Sequence, residues 1–184
     1  PQARETFLPD DDATAQFGAQ LATSLKAGDI VSLEGDLGAG KTAMARAILR
    51  ALAGDPALEV PSPTFAIIQP YDTPIGPVLH ADLYRLADAT EADELGLLDD
   101  PEAIVLVEWA ERAPQVAEAV TLLVHLDIPA GGEGRTVRLT QSVLRIAQHP
   151  NAPMLGAAWD AARITTADPL QPPPVRSENC GDSM

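Results

Sequence analysis

Phe17, Leu21 and Leu25 recur at four-residue spacing after the acidic turn Pro9-Asp10-Asp11-Asp12, and the run ends at Gly28. That is the pattern of an amphipathic helix, expected over Thr14 to Leu25, with acid at its positive end and a glycine stop. Ile30-Val31-Ser32-Leu33 reads as a short buried strand running into a glycine-rich loop, and Thr42 to Leu52 as the helix that leaves it. Phe65 to Gln69 and Val78 to Leu83 flank Asp72-Thr73-Pro74-Ile75-Gly76-Pro77, which predicts an antiparallel hairpin. Ala103 to Val107 is a further buried strand. Thr121 to Leu126 and Thr136 to Leu139 lie either side of Gly131-Gly132-Glu133-Gly134 and form a second hairpin pattern. Past Thr140 a helix is expected around Met154 to Ile164, followed by a stretch rich in proline, serine and charge. The compact domain is therefore placed at residues 4–142, with 143–184 as an accessory helix and a disordered tail.

Composition narrows the class. Of 184 residues, 46% are hydrophobic and 4% aromatic, so one domain is expected whose core rests on Leu, Val, Ile and Ala. Such a core suits helices packed on a sheet, an α/β architecture. Twelve Lys and Arg against 27 Asp and Glu leave a net charge of −15, which opposes a phosphate backbone and argues against unaided nucleic-acid binding. No run approaches the roughly 18 apolar residues of a membrane helix, and PQARETFLPDDD has no basic-then-apolar leader. The lone Cys180 can form no internal disulfide. A soluble, cytoplasmic protein without a membrane partner is expected.

Gly35-Asp36-Leu37-Gly38-Ala39-Gly40-Lys41-Thr42 satisfies G-x-x-x-x-G-K-S/T between a predicted strand and a predicted helix, the context a phosphate-binding loop requires. Its glycines let successive N–H groups turn inward, and the helix presents its positive end to the phosphates. Gly38, Ala39, Gly40, Lys41, Thr42 and Ala43 are the expected ATP or ADP contacts. Lys41 neutralises phosphate charge, and the Thr42 hydroxyl is a hard oxygen ligand suited to Mg²⁺. A second acid at the end of a neighbouring strand is needed for the metal's water shell, and Ile104-Val105-Leu106-Val107-Glu108 supplies Glu108 where Asp is more usual. No guanine-reading Asn-Lys-x-Asp run is present, which favours ATP over GTP.

Ser62-Pro63-Thr64-Phe65, His80-Ala81-Asp82-Leu83-Tyr84-Arg85-Leu86 and Val107-Glu108-Trp109, all following GDLGAGKT, resemble the TsaE (YjeE) family from Thr14 to Leu139. The resemblance implies a P-loop ATPase with a mixed sheet flanked by helices. It also implies ATP and Mg²⁺ as ligands and a role in threonylcarbamoyl modification of tRNA adenosine 37. There, by resemblance, the ATPase resets a complex with the TsaD and TsaB proteins. Thr42 and Glu108 match the family's metal site, Ser62 to Phe65 its switch-like segment, and Asp82 the acid of its H-x-D-L-Y-R motif. ADATEADELGLLDD after Leu86 is only loosely like the family's acidic helix, and residues from about 143 onward exceed its usual length.

Read physically, Pro63 restricts Ser62 to an extended conformation and presents Thr64 where it can sense a γ-phosphate, unless Ser-Pro-Thr simply turns into a strand. Asp82 either positions water or the metal shell, or pairs with Arg85 or caps a turn. Lys41, Asp82 and Thr64 are the catalytic candidates. His80 is expected to be a structural hydrogen-bonding residue, Trp109 a packing residue, and His125 and His149 structural or surface groups. A nucleotide-gated binding module without turnover and a small-molecule kinase remain the alternatives, the latter lacking a visible Arg-rich lid.

Overall fold

The computed structural model describes residues 4–150. Its centre is a parallel core of β2 (Ile30–Glu34), β4 (Gly76–Asp82), β5 (Ile104–Glu108) and β6 (Leu122–Asp127). Antiparallel strands extend it on both sides. β7 (Arg135–Gln141) pairs with β6 and carries β1 (Arg4–Leu8), while β3 (Ile68–Thr73) pairs with β4, giving the order β1-β7-β6-β2-β5-β4-β3. This is the mixed α/β sheet with antiparallel hairpins that the sequence implied. Because the four central strands are parallel, Glu34, Asp82, Glu108 and Asp127 all end on one edge, where open α/β sheets hold their ligands.

β5 shows why the centre reads as a continuous apolar run: it is covered on both faces. Ile104 and Leu106 pack with Phe17 and Leu21 of α1 (Asp11–Ser24) and Met44 and Ile48 of α2 (Lys41–Ala53). Val105 and Val107 pack on the other side with Ala110 and Ala113, beside α4 (Pro114–Ala119), and with Ala92 of the short α3 (Glu91–Glu94). α1 and α2 approach closely at Gly18, where an added Cβ would lie 2.4 Å from Ala47 Cβ. The acidic start of α1 has a defined function, since the Asp10 carboxylate accepts a 2.8 Å hydrogen bond from Ala13 N–H and caps the helix.

Three features depart from the sequence reading. Phe65 and Ala66 lie in a turn rather than at the start of a strand, because Ile67 adopts a left-handed φ of 63° and its N–H bonds back to the Pro63 carbonyl. β3 consequently begins at Ile68 and runs to Thr73, closing on Gly76 through a tight turn. A strand forms at Arg4–Leu8 that no pattern announced. Beyond the boundary expected at 142, α5 (Val143–Gln148) follows directly and is tied to the sheet by Arg145, which is fully buried. Its Nε donates to Asp29 at 2.9 Å and its Nη2 to the Ser24 carbonyl, while Asp29 also accepts from Lys26 N–H and the Thr121 hydroxyl. The helix expected at 154–164, the tail and Cys180 lie outside the described residues. Among those described, no helix is long and apolar enough to cross a membrane.

Candidate active site

β2 ends in a loop that only glycine can begin. Gly35 has φ 139°, and a Cβ there would lie 2.3 Å from the Leu126 carbonyl oxygen. Gly38 and Gly40 also take positive φ, and α2 starts at Lys41. Lys41 is buried, and its Nζ donates to the Gly35 and Asp36 carbonyls at 2.7 and 2.9 Å. The Trp109 ring lies over the same ammonium, 4.6 Å from its centroid, so the positive charge is held at the mouth of the loop.

Strand periodicity brings the acids to this point. Alternate residues of β4 put His80 and Asp82 on one face, and the parallel register sets Asp82 beside Glu108 and His80 beside Leu106 on β5. Leu106 faces α1 and α2, so Glu108 faces the start of α2. There the Thr42 hydroxyl donates to Glu108 at 3.0 Å, and His80 Nε2 donates to the same carboxylate at 2.9 Å. His80 is fully buried and therefore acts as the structural hydrogen-bonding residue that the sequence suggested. Thr42 and Glu108 present hard oxygens to one another, the donor chemistry that Mg²⁺ accepts with few protein ligands, so these residues fit the metal.

Asp82 neither pairs with Arg85 nor stands free. Its Oδ1 accepts from Tyr84 N–H at 3.0 Å. Burial pushes its carboxyl above the ordinary value, the neighbouring Glu108 adds to that, and the Tyr84 N–H, His80 and Lys41 work against it. Trp109, at a left-handed φ of 60°, packs on the half-exposed Tyr84 with ring centroids 4.9 Å apart. Non-glycine residues in that region are strained, and the two among those described, Ile67 and Trp109, flank the segments bearing Thr64 and Glu108.

These elements enclose a cleft of about 400 Å³ lined by Gly38, Gly40, Lys41, Thr42, Ala43, Thr64, Asp82 and Glu108, with Leu37, Ser62, Tyr84, Arg85 and Trp109 at its walls. Ala39 is buried behind the loop and does not line it. A second cleft of about 180 Å³ lies on the other side of the loop and shares Gly40 and Ala43 with the first. Its wall includes Arg135, a residue with no motif to announce it. Arg135 donates to the Ala39 carbonyl at 2.8 Å and the Gly38 carbonyl at 3.0 Å, clamping the loop from β7. A larger groove of about 590 Å³ between α1 and α2 is lined by alanines with Arg46 and Arg50 and holds none of the strand-end acids.

A family model described as threonylcarbamoyl adenosine biosynthesis protein TsaE matches residues 8–137. The chain belongs to the TsaE family. It is 44% identical over 118 residues to tRNA threonylcarbamoyladenosine biosynthesis protein TsaE of Synechocystis sp., covering 61% of this chain and 73% of that protein. Against the protein of the same name from Rickettsia bellii it is 40% identical over 125 residues, 67% of this chain and 86% of the relative. In three dimensions it resembles the crystal structure of Bacillus subtilis YdiB, with a TM-score of 0.61 and 27% identity over 82% of this chain and 97% of that one. The TsaE match takes in the glycine loop at 35–42, the Thr64 segment, Asp82 and Glu108, and ends before α5.

Proposed function

We propose that this chain binds and hydrolyses ATP with Mg²⁺ in the 400 Å³ cleft, as the nucleotide-driven component of tRNA threonylcarbamoyladenosine synthesis. The observation that carries the reading is the convergence of Lys41, Thr42, Asp82 and Glu108, from three separate elements, on one side of a glycine loop at a helix N-terminus. The phosphates would lie on the loop N–H groups and Lys41. The adjoining cleft, reached across Gly40 and Ala43, would take the base between Leu8, Leu126 and the Arg135 guanidinium. Thr42 and Glu108 would hold Mg²⁺, which when bound neutralises charge on the β- and γ-phosphate oxygens. Asp82 and Thr64, which line the cleft, would orient the attacking water, with Trp109 and Tyr84 forming part of its wall.

TsaD and TsaB are the proposed partners. Leu37, Phe65 and Tyr84 are exposed around the cleft, and Phe65 is 86% exposed beside Thr64, so protein docking on this rim would order the Thr64 segment and accelerate turnover. Contact with tRNA would run through the partners, because a net charge of −15 opposes a phosphate backbone. Calorimetric titration with ADP and ATP, with and without Mg²⁺, tests the reading. Binding of both nucleotides that Mg²⁺ modulates and Lys41→Ala removes is expected, and indifference to nucleotide would refute it.

A further inference from the structure

Arg85 is a cation at the wall of the phosphate cleft that none of the preceding assignments uses. It is exposed, and among the described residues no carboxylate or carbonyl holds its guanidinium. Its contact is the ring of Phe65, 4.7 Å from guanidinium carbon to centroid. Phe65 in turn is 86% exposed and sits in the turn that carries Thr64, between Pro63 and the strained Ile67. The Ile67 carbonyl accepts the Asp82 N–H at 2.9 Å, so the turn holding Phe65 and the β4 end that precedes Arg85 are joined at their base. A charged side chain without a charged partner, resting on a ring that water surrounds, is cheaply moved.

We propose that Arg85 is a catalytic residue of the ATP hydrolysis inferred above, on which this proposal rests. It is held on Phe65 and released to the transferring phosphoryl group when the 62–67 turn rearranges. In that step the water oxygen forms a bond to the γ-phosphorus as the bond from γ-phosphorus to the β–γ bridging oxygen breaks. ADP leaves with the bridging electron pair, the water proton passes to solvent, and the products are ADP and inorganic phosphate. The guanidinium donates hydrogen bonds to phosphoryl oxygens whose charge is spread in the transition state. Lys41, fixed at the loop mouth, meets the phosphates already in the ground state and keeps them in the transition state, whereas Arg85 is gained only in the latter.

The test compares affinity for Mg·ADP with affinity for Mg·ADP plus aluminium fluoride, a planar mimic of the transferring group, using the full chain and calorimetry. Wild-type protein should bind the fluoride complex more tightly than Mg·ADP. If it does not, hydrolysis itself is the wrong reading, and the proposal falls with it. Given that gain, Arg85→Ala should keep Mg·ADP affinity within about twofold and lose tenfold or more of the fluoride complex's affinity, with partial recovery in Arg85→Lys. Phe65→Ala, which frees the guanidinium, should tighten the fluoride complex by about two- to fivefold. An Arg85→Ala protein that binds both complexes like wild type, or loses both equally, would overturn the assignment.

Discussion

The hydroxyl of Thr42 and the carboxylate of Glu108 meet at 3.0 Å across 66 positions of chain, one on the first turn of α2 and the other at the end of β5. His80 binds the same carboxylate from beneath at 2.9 Å and fixes its orientation toward the loop. The pair is therefore set in place by helix start, strand register and a buried imidazole together.

Thr42→Ala and Glu108→Gln should each weaken Mg²⁺-dependent turnover far more than Mg²⁺-free ADP binding, since both residues are the proposed holders of the metal and its waters. Glu108→Gln is preferred to alanine because it keeps an acceptor for buried His80, whose loss would cost about 1–3 kcal/mol of stability. ADP affinity with and without Mg²⁺, measured beside turnover, checks this. An unchanged metal dependence in both variants would remove the metal assignment.

Asp82 predicts a pH-dependent stability. Its carboxyl is raised above the ordinary 3.8 chiefly by burial, so the folded state favours the protonated form. The penalty is absent below the unfolded value and grows as pH rises through the higher folded value. Asp82→Asn, which keeps an oxygen for Tyr84 N–H, should melt above wild type at pH 7, and the gain should close as pH falls toward 3.8. A difference independent of pH would contradict this origin.

At the other end of β2, Arg145 and Asp29 are both fully buried and paired. Arg145→Ala leaves a buried carboxylate without its counter-charge and should cost about 3–5 kcal/mol in urea unfolding. Mg·ADP affinity should survive under conditions where the variant is folded, because the pair lies at the start of the strand and the loop at its end. Wild-type stability in this variant would mean that α5 contributes nothing to the domain.

The glycine loop between β2 and α2 was legible because its pattern is local: eight consecutive residues and the elements on either side define it. Glu108 was legible as an acid ending an apolar strand and Asp82 through its resemblance to the H-x-D-L-Y-R motif, but their adjacency was not, since only the β4–β5 register creates it. Arg135 left no trace in sequence, being 97 positions from the Gly38 carbonyl it holds. Arg145 is 116 positions from Asp29 and was read as lying outside the domain for the same reason. Phe65 looked like a strand residue by its apolar, aromatic character. The left-handed backbone at Ile67 decides otherwise, and β-branched side chains give no local warning of that conformation.

tRNA should not bind the purified chain with useful affinity at about 150 mM salt, since a net charge of −15 opposes a phosphate backbone. Filter binding or fluorescence anisotropy checks this. Tight binding that falls steeply as salt rises would transfer tRNA recognition to this chain from its proposed partners.

The most direct test is steady-state ATP turnover with Mg²⁺ by wild-type and Lys41→Ala protein, each alone and with TsaD and TsaB. In the proposed reading Lys41 would supply the charge set against the phosphates, so its loss should remove several kcal/mol of phosphate and transition-state stabilisation. Slow turnover by the wild-type chain, a marked rise with both partners, and none in Lys41→Ala under either condition is the predicted result. Equal turnover by the two proteins, or wild-type turnover indifferent to the partners, would contradict the account.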